Sequence, residues 1–174
     1  MRKMFSIEWG LSEANNLHMV PWKLVSNWNC KFCGKCCINH RIPLLFEEYA
    51  RIEPKYGPRA VEPGEKCFYI RLLPDRRCYF LKKQGEKYLC KIHSEKPYVC
   101  RMFPFRILSS PKHGDEALSE FQYEGELFYV YLNAECNGIV LGAPSKKLIE
   151  EALPEFIKLY KAKACIKKIF VKNG

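Results

Sequence analysis

The sequence predicts an α+β fold, in one small domain with short strands and a C-terminal helical segment. Three observations favour this class. Short runs of aromatic and β-branched residues fill the middle of the chain, apolar residues recur at helical spacing near its end, and 10 cysteines occur among 174 residues. A chain of this length suits a single domain over residues 1–174 and can bury a core of its own.

The first predicted helix covers Pro43–Ile52. Proline at its start, Glu47 and Glu48 in its first turn and apolar residues at helical spacing are typical of an amphipathic helix. Gly57 and Pro58 should end it, because both residues favour a turn over a continued helix.

Five short runs after this helix are predicted strands, because they are rich in aromatic and branched residues. They are Cys67–Leu73, Cys78–Leu81, Tyr88–Ile92, Phe103–Leu108 and Leu127–Leu132. Gln84 and Gly85 stand where a hairpin could turn, and Glu124 and Gly125 form a turn before the last and strongest run.

The C-terminal segment, residues 145–172, is predicted to be helical. Ser145 suits an N-cap, and apolar side chains recur at helical spacing after it. Pro154 falls inside this pattern, which predicts a kink or two helices. We interpret the lysines of this segment as a solvated helix face, with a patch for nucleic acid or an acidic partner as the alternative.

Composition excludes several classes of protein. The formal charge is +10, from 29 Lys and Arg against 19 Asp and Glu, and the 48% hydrophobic content excludes a disordered chain. No run reaches the roughly 18 apolar residues of a membrane span, and Met1–Glu8 lacks the apolar stretch of an export signal. We therefore expect a cytoplasmic protein, in which clustered cysteines bind metals more often than they form disulfides.

Four of the cysteines lie close together in the sequence, at Cys30, Cys33, Cys36 and Cys37. A C-x2-C turn brings two sulfurs to one side of a tight loop, and Gly34 permits the positive φ that such a loop often needs. The spacing suits zinc, and it also suits the three-cysteine run of ferredoxins. It therefore predicts a metal site without selecting the metal.

Adjacent cysteines sharpen this prediction. Because neighbouring side chains of an extended backbone point to opposite faces, we expect Cys36 and Cys37 to serve two centres or different irons of a larger cluster. Two tetrahedral sites need fewer sulfurs than the 10 cysteines supply. Cys67, at the start of a strand, and Cys165, on a lysine-rich helix, are predicted to be ordinary packing residues.

The pattern CxxCGxCC at residues 30–37 resembles the signature of the YkgJ-type cysteine-cluster proteins, a zinc- or iron-chelating family related to the flagellin lysine methylases. The resemblance extends over residues 30–142 and leaves 145–172 as a helical appendage. Lys96 and Asn137 depart from the family pattern, in which arginine and proline are usual at these positions.

This resemblance implies a set of eight metal-binding cysteines. They are Cys30, Cys33, Cys36, Cys37, Cys78, Cys90, Cys100 and Cys136. In our preferred division, Cys30, Cys33 and Cys36 bind one centre together with one downstream cysteine. Cys37 binds the other centre together with three downstream cysteines. Other divisions, and a single larger site, stay open at this point.

Two further residues are candidates for roles beside the metal. His93 suits a hydrogen bond to sulfur more than direct ligation, and Arg101 suits compensation of the negative charge of bound thiolates, with a surface salt bridge as its alternative.

We expect a metal-cluster-binding protein with one or two [4Fe–4S] clusters, acting in electron transfer or in a cluster-dependent modification of a macromolecule. The alternative is a zinc-stapled module that binds nucleic acid or an acidic protein partner. Charge alone supports nucleic acid, so the identity of the macromolecular partner stays open. The sequence has no nucleotide loop and no hydrolytic triad order, so no catalytic residue is assigned and an enzymatic role stays open.

Overall fold

The computed structural model describes the backbone of residues 19–171 and the side chains of residues 19–163. The interpretations of Met1–Glu8 and of the Cys165 side chain lie outside the described residues. Within the described chain, short strands alternate with helical turns and short helices, and a long helix lies at the C-terminal end. The predicted α+β class is therefore confirmed.

Most elements of the described chain are only a few residues long. The strands are β1 (Met19–Pro21), β2 (Val25–Trp28), β3 (Ile42–Pro43), β4 (Val61–Pro63), β5 (Phe68–Ile70), β6 (Leu81–Gln84), β7 (Lys87–Cys90), β8 (Phe105–Leu108), β9 (Glu120–Tyr123), β10 (Glu126–Asn133) and β11 (Ile139–Leu141). The α-helices are α1 (Phe46–Tyr56), α2 (Tyr98–Met102), α3 (Glu116–Ser119) and α4 (Leu153–Val171). Single 3-10 turns occupy Trp22–Leu24, Lys35–Cys37, Pro58–Ala60 and His93–Glu95, and a π-helical turn occupies Leu148–Ala152.

The eight-residue strand β10 organises the largest sheet. β9 pairs with its N-terminal half, and β8 and β1 pair with its C-terminal half on opposite edges, all antiparallel. The predicted turn at Glu124 and Gly125 joins β9 to β10, and both residues have positive φ, 51° and 79°. The prediction that Leu127–Leu132 is the strongest strand is confirmed.

This sheet and the C-terminal helical segment enclose the first of two hydrophobic cores found among residues 19–163, which we call the sheet core. It consists of Trp22, Val25, Met102, Phe105, Ile107, Phe128, Val130, Leu132, Leu148, Leu153, Phe156 and Ile157. Phe105 of β8 stacks on Phe156 of α4, with ring centroids 4.0 Å apart and planes at 23°. The long helix thus packs on the sheet through aromatic side chains.

The C-terminal segment begins and divides as the sequence predicts. The Leu148 N–H donates to the Ser145 hydroxyl at 3.2 Å, which confirms the N-cap. The π-helical turn runs directly into α4, and Pro154 is the second residue of α4, so the helical segment has two parts. No helix of the described chain is long and apolar enough to span a membrane.

The lysines of this segment are not a uniformly solvated face, and that interpretation is wrong for Lys163. Lys163 is only 7% exposed, and its Nζ lies 4.1 Å from the centre of the Tyr98 ring. Lys161 forms ion pairs with Glu124 at 3.2 Å and Glu126 at 2.8 Å. These partners come from other elements, which helical periodicity alone does not reveal.

The second core, which we call the cysteine-side core, lies under the small sheet β3–β5–β4, helix α1 and the hairpin β6–β7. It consists of Ile42, Leu44, Ile52, Ala60, Val61, Ile70, Cys78, Phe80, Leu81 and Ile92. Cys37, Cys90 and Cys100 pack against it from the side. No strand of this region in the described chain exceeds four residues, so few sheet hydrogen bonds hold it together.

The start of the first helix differs from its prediction. Pro43 pairs with Tyr69 between β3 and β5, and α1 begins at Phe46. The Glu48 carboxylate accepts a hydrogen bond from the Leu45 N–H at 2.9 Å, which sets this later start. Gly57 ends the helix with φ 82°, as its sequence predicts.

The strand predictions of this region are confirmed in part. The hairpin β6–β7 turns after Gln84 at Gly85, as expected. Cys78–Leu81 is not a strand, because Cys78 forms an isolated bridge to Leu72 and the Leu81 N–H then donates to the Cys78 carbonyl at 2.9 Å. This turn redirects the chain beneath the cysteine motif.

Candidate metal centre

The segment that carries Cys36 and Cys37 is a tight turn held by a hairpin. Gly34, with φ 71°, precedes the 3-10 turn Lys35–Cys37, and the Cys37 N–H donates to the Gly34 carbonyl at 2.8 Å. Tyr88 of β7 approaches so closely that a Cβ at Gly34 would stand 2.8 Å from its Cγ. The predicted positive φ is confirmed, and the close ring gives a second reason for glycine.

Cys36 and Cys37 do not point to opposite faces. Their Sγ atoms are 3.9 Å apart. The expectation assumed extended backbone, whereas Lys35–Cys37 forms a 3-10 turn, in which successive side chains diverge by roughly 120°. The two sulfurs can therefore reach one centre, or two centres that lie side by side.

Most of the predicted ligands face one open cavity of about 700 Å³. Its lining includes Cys30, Cys33, Cys36, Cys37, Cys90, Cys100 and Cys136. The eighth, Cys78, is buried behind Cys37, to whose carbonyl its N–H donates at 2.8 Å. The hairpin, α2 and the turn before β11 thus bring sulfurs that are distant in sequence toward the cysteine motif.

Of the two cysteines set aside on the sequence, Cys67 is not part of the described lining, and the Cys165 side chain lies outside the described residues. Cys67 precedes β5 and hydrogen-bonds to the side chain of Tyr69, which raises the pKa of that phenol. His93 does line the cavity, whereas His40 hydrogen-bonds to backbone and His113 packs on an aromatic ring elsewhere. His93 is thus the histidine of residues 19–163 placed for a contact with the sulfurs.

Backbone N–H groups point at several of the sulfurs. The Gly138 N–H donates to Cys136 Sγ at 3.4 Å. Burial raises the pKa of Cys78 and Cys90, and the backbone N–H two positions after each cysteine opposes that rise. Such donors stabilise thiolates and are typical of the surroundings of bound metal.

The Trp28 indole adds a donor that has no acceptor in the described chain. Its Nε1 is buried and meets no partner in hydrogen-bond geometry. Burial raises the pKa of Cys136, and the Trp28 N–H is among the groups that oppose this rise, so it lies against that sulfur. A thiolate held at Cys136 by a metal would accept this otherwise unpaired hydrogen.

The thiols strongly influence each other. A hydrogen bond from the Cys37 thiol lowers the pKa of Cys36 to about 7, and the same bond raises the pKa of Cys37. Burial raises the pKa of four more thiols, and the Cys36 thiolate raises each further. They are Cys78, Cys90, Cys100 and Cys136. Several thiolates in this site therefore need a compensating cation, which a metal supplies.

Cationic side chains surround the cavity. They are Lys31, Lys35, Lys96, Arg101 and Lys158. Glu155 is the acidic residue among the lining side chains. Arg101 stands where charge compensation is expected, but the sequence reasoning missed Lys158 and Trp28. Helical spacing puts Lys158 on a solvated face, and only the packing of α4 shows that this face borders the cysteines.

The donors present fit zinc or iron, because thiolates are preferred ligands of both. Their present spacing is wider than one ion requires. Among the side chains of residues 19–163, no three His, Cys, Asp or Glu groups stand close enough together to hold a single metal ion.

Comparisons with known proteins support binding of zinc or iron. The sequence profile of the CxxCxxCC family matches residues 29–137, which includes all eight predicted ligands. A protein of Methanocaldococcus jannaschii, described as uncharacterized, is 27% identical over 139 residues. The match covers 76% of this chain but only 44% of that relative. No solved structure matches the chain. The chain thus belongs to the CxxCxxCC family, described as "Putative zinc- or iron-chelating domain".

Proposed function

We propose that the chain is a cytoplasmic iron–sulfur protein that holds one or two [4Fe–4S] clusters and serves electron transfer or a cluster-dependent modification of a macromolecule. The observation that carries this proposal is the convergence of seven cysteines on a 700 Å³ cavity without any close trio. Sulfurs that bind different irons of a cluster stand further apart than sulfurs that share one ion.

The surroundings of the sulfurs also support a cluster. Hydrogen bonds to sulfur and the nearby cations Lys96 and Arg101 favour a negatively charged group and tune its reduction potential. When bound, such a cluster supplies one-electron chemistry. The protein orients the cysteine sulfurs through the Gly34 turn and limits water through the cysteine-side core.

Anaerobic purification followed by metal analysis tests the proposal. We expect iron and acid-labile sulfide, with an absorbance band at about 400 nm that is typical of such clusters. A colourless protein that contains zinc and no iron after anaerobic preparation would contradict it.

The same analysis on two matched variants tests the ligand set. Cys33→Ser should lose metal and stability, because it removes a cysteine of the cavity lining. Cys67→Ser should keep both, because Cys67 hydrogen-bonds to Tyr69 outside that lining. Equal metal content in the two variants would contradict the ligand set.

One distance favours the second candidate, a zinc-stapled module for nucleic acid or an acidic protein. The 3.9 Å between Cys36 Sγ and Cys37 Sγ is close to the edge of a tetrahedron with Zn–S bonds of about 2.3 Å. The cations around the cavity then become the binding surface. Filter binding of a single-stranded oligonucleotide over a salt series tests this candidate, and affinity that does not fall with salt excludes it.

A further inference from the structure

The eight cysteines fall into two groups with different surroundings. Four of them belong to the cysteine-side core or pack against it, and we call these the inner four. They are Cys37, Cys78, Cys90 and Cys100. Cys78 is 7% exposed and is tied through its N–H to the carbonyl of Cys37. Apolar side chains thus cover this group on one side, while the half-buried Cys37, Cys90 and Cys100 line the cavity on the other.

The remaining four, which we call the outer four, pack against neither core. They are Cys30, Cys33, Cys36 and Cys136. Cys30 is exposed and the other three are half-buried, and all four line the open cavity. The Trp28 indole and the Gly138 N–H support Cys136, so the downstream member of this group is held from the β2–β11 side.

The two groups meet at one point. Cys36 belongs to the outer four and Cys37 to the inner four, and their sulfurs are 3.9 Å apart across the 3-10 turn. Each group has four sulfurs, which is the number of ligands that a tetrahedral ion or a four-iron cluster takes.

We infer that the chain holds two metal centres of unequal accessibility: an inner centre that stabilises the fold, and an outer centre whose metal exchanges through the cavity mouth. This inference rests on the proposed iron–sulfur clusters, because a zinc ion shared by Cys36 and Cys37 would join the two groups. It follows from burial, because a chelator must reach the metal–sulfur bonds before it can compete for them. The exposed Cys30 provides that access to the outer group. In the inner group Cys78 is buried, and the half-buried Cys37, Cys90 and Cys100 face the cavity on one side and the cysteine-side core on the other, so access is narrower.

The charges around the opening of the cavity also favour release of metal from the outer centre before the inner centre. The exposed Lys31 and Lys35 are chain neighbours of Cys30 and Cys36 of the outer four, and they attract anionic chelators or anionic metal acceptors. In the exchange step each metal–sulfur bond breaks and the metal passes to the acceptor. The sulfur keeps the electron pair and takes up a proton from water. Any bridging sulfide of a cluster leaves as hydrogen sulfide, so no oxidant is required.

A chelator pulse followed by alkylation tests the inference on the wild-type chain. The anaerobically purified protein is treated briefly with EDTA, then with N-ethylmaleimide, which adds to freed thiolates. Peptide mass spectrometry maps the modified cysteines, and elemental analysis gives the remaining metal. We expect modification of the outer four, protection of the inner four and loss of about half the metal.

The outcomes separate this inference from the proposed function. Simultaneous modification of all eight cysteines, or modification of the inner four first, overturns the two-centre inference while metal binding stands. Absence of any metal after anaerobic purification overturns the proposed function, and the inference with it.

A pair of variants gives an independent test that does not depend on chelator kinetics. Cys30→Ser removes the exposed member of the outer four, and Cys67→Ser is the matched control outside the cavity lining. We expect Cys30→Ser to retain its fold and about half the wild-type metal, and Cys67→Ser to retain all of it. Full metal in Cys30→Ser, or complete loss from it, overturns the division into two centres.

Discussion

The sheet core and the cysteine-side core differ in the length of the strands and helices that cover them. The sheet core has an eight-residue central strand, a long helix and stacked aromatic rings between them. The cysteine-side core has strands of two to four residues and carries cysteines at its edge. Short strands provide few hydrogen bonds and little buried area, so the second region needs another source of free energy. We propose metal–sulfur bonds as that source, which would make the two regions unequal in their dependence on metal.

Removal of the metal should have the largest effect, and it should destabilise the cysteine-side core more than the sheet core. Structural zinc contributes about 10–16 kcal/mol to the folding of small zinc peptides, far more than typical packing contacts. We expect fast hydrogen exchange at β3 to β7 in the metal-free protein, while amides of β8 and β10 stay protected. Hydrogen-exchange mass spectrometry before and after chelation measures this difference. Equal loss of protection in both regions would mean that the two cores unfold as one unit.

A truncation in the sheet core should destabilise the protein without releasing metal. Phe128 is 4% exposed, so Phe128→Ala should lower the free energy of unfolding by about 3–5 kcal/mol. Leu127→Ala, on the same strand but 44% exposed, is the matched control and should change stability much less. Urea denaturation gives the stability and elemental analysis gives the metal content. Metal loss from Phe128→Ala in its folded state would show that the sheet core supports the metal site directly.

Gly34→Ala should have an intermediate effect that is confined to the cysteine side. The left-handed φ of 71° costs a residue with a Cβ roughly 1–2 kcal/mol, and the Cβ would also stand 2.8 Å from the Tyr88 ring. Gly85→Ala separates these two causes, because Gly85 has φ 57° and nothing within 4 Å of the added atom. We expect Gly34→Ala to lose metal to EDTA faster than Gly85→Ala. Equal rates would assign the whole effect to backbone strain.

The sequence predicts these two regions unequally well. In the sheet core, strong β propensity at Leu127–Leu132 and the Glu124–Gly125 turn were sufficient to find β10, because both signals are local. On the cysteine side, Cys78–Leu81 has the composition of a strand but forms a turn. Contacts with Leu72 and Cys37 decide that geometry, and local propensity does not contain them.

The candidate site shows the same limit. Cysteine spacing and family resemblance named eight sulfurs, and Gly34 was recognised as the residue of a tight loop. The expected opposition of Cys36 and Cys37 was wrong, because it assumed extended backbone where a 3-10 turn occurs. Trp28 and Lys158 were missed because tertiary packing alone brings them to the cavity.

Lys161→Ala should have the smallest effect, and its pH dependence sharpens the comparison. Lys161 joins α4 to the β9–β10 turn through ion pairs with Glu124 and Glu126, both of which are exposed. The hydrogen bond from Lys161 lowers the pKa of Glu124, so the pair stabilises the fold above the usual carboxylate pKa of about 4.3 and loses that contribution as the pH falls through the lowered value. Thermal melts of wild type and variant should therefore differ slightly at neutral pH and converge in acid or in high salt. Metal content should be equal in both, because these contacts belong to the sheet core side. Metal loss from the variant would show that a shift of α4 at the sheet also displaces the part of the cavity wall that Lys158 forms.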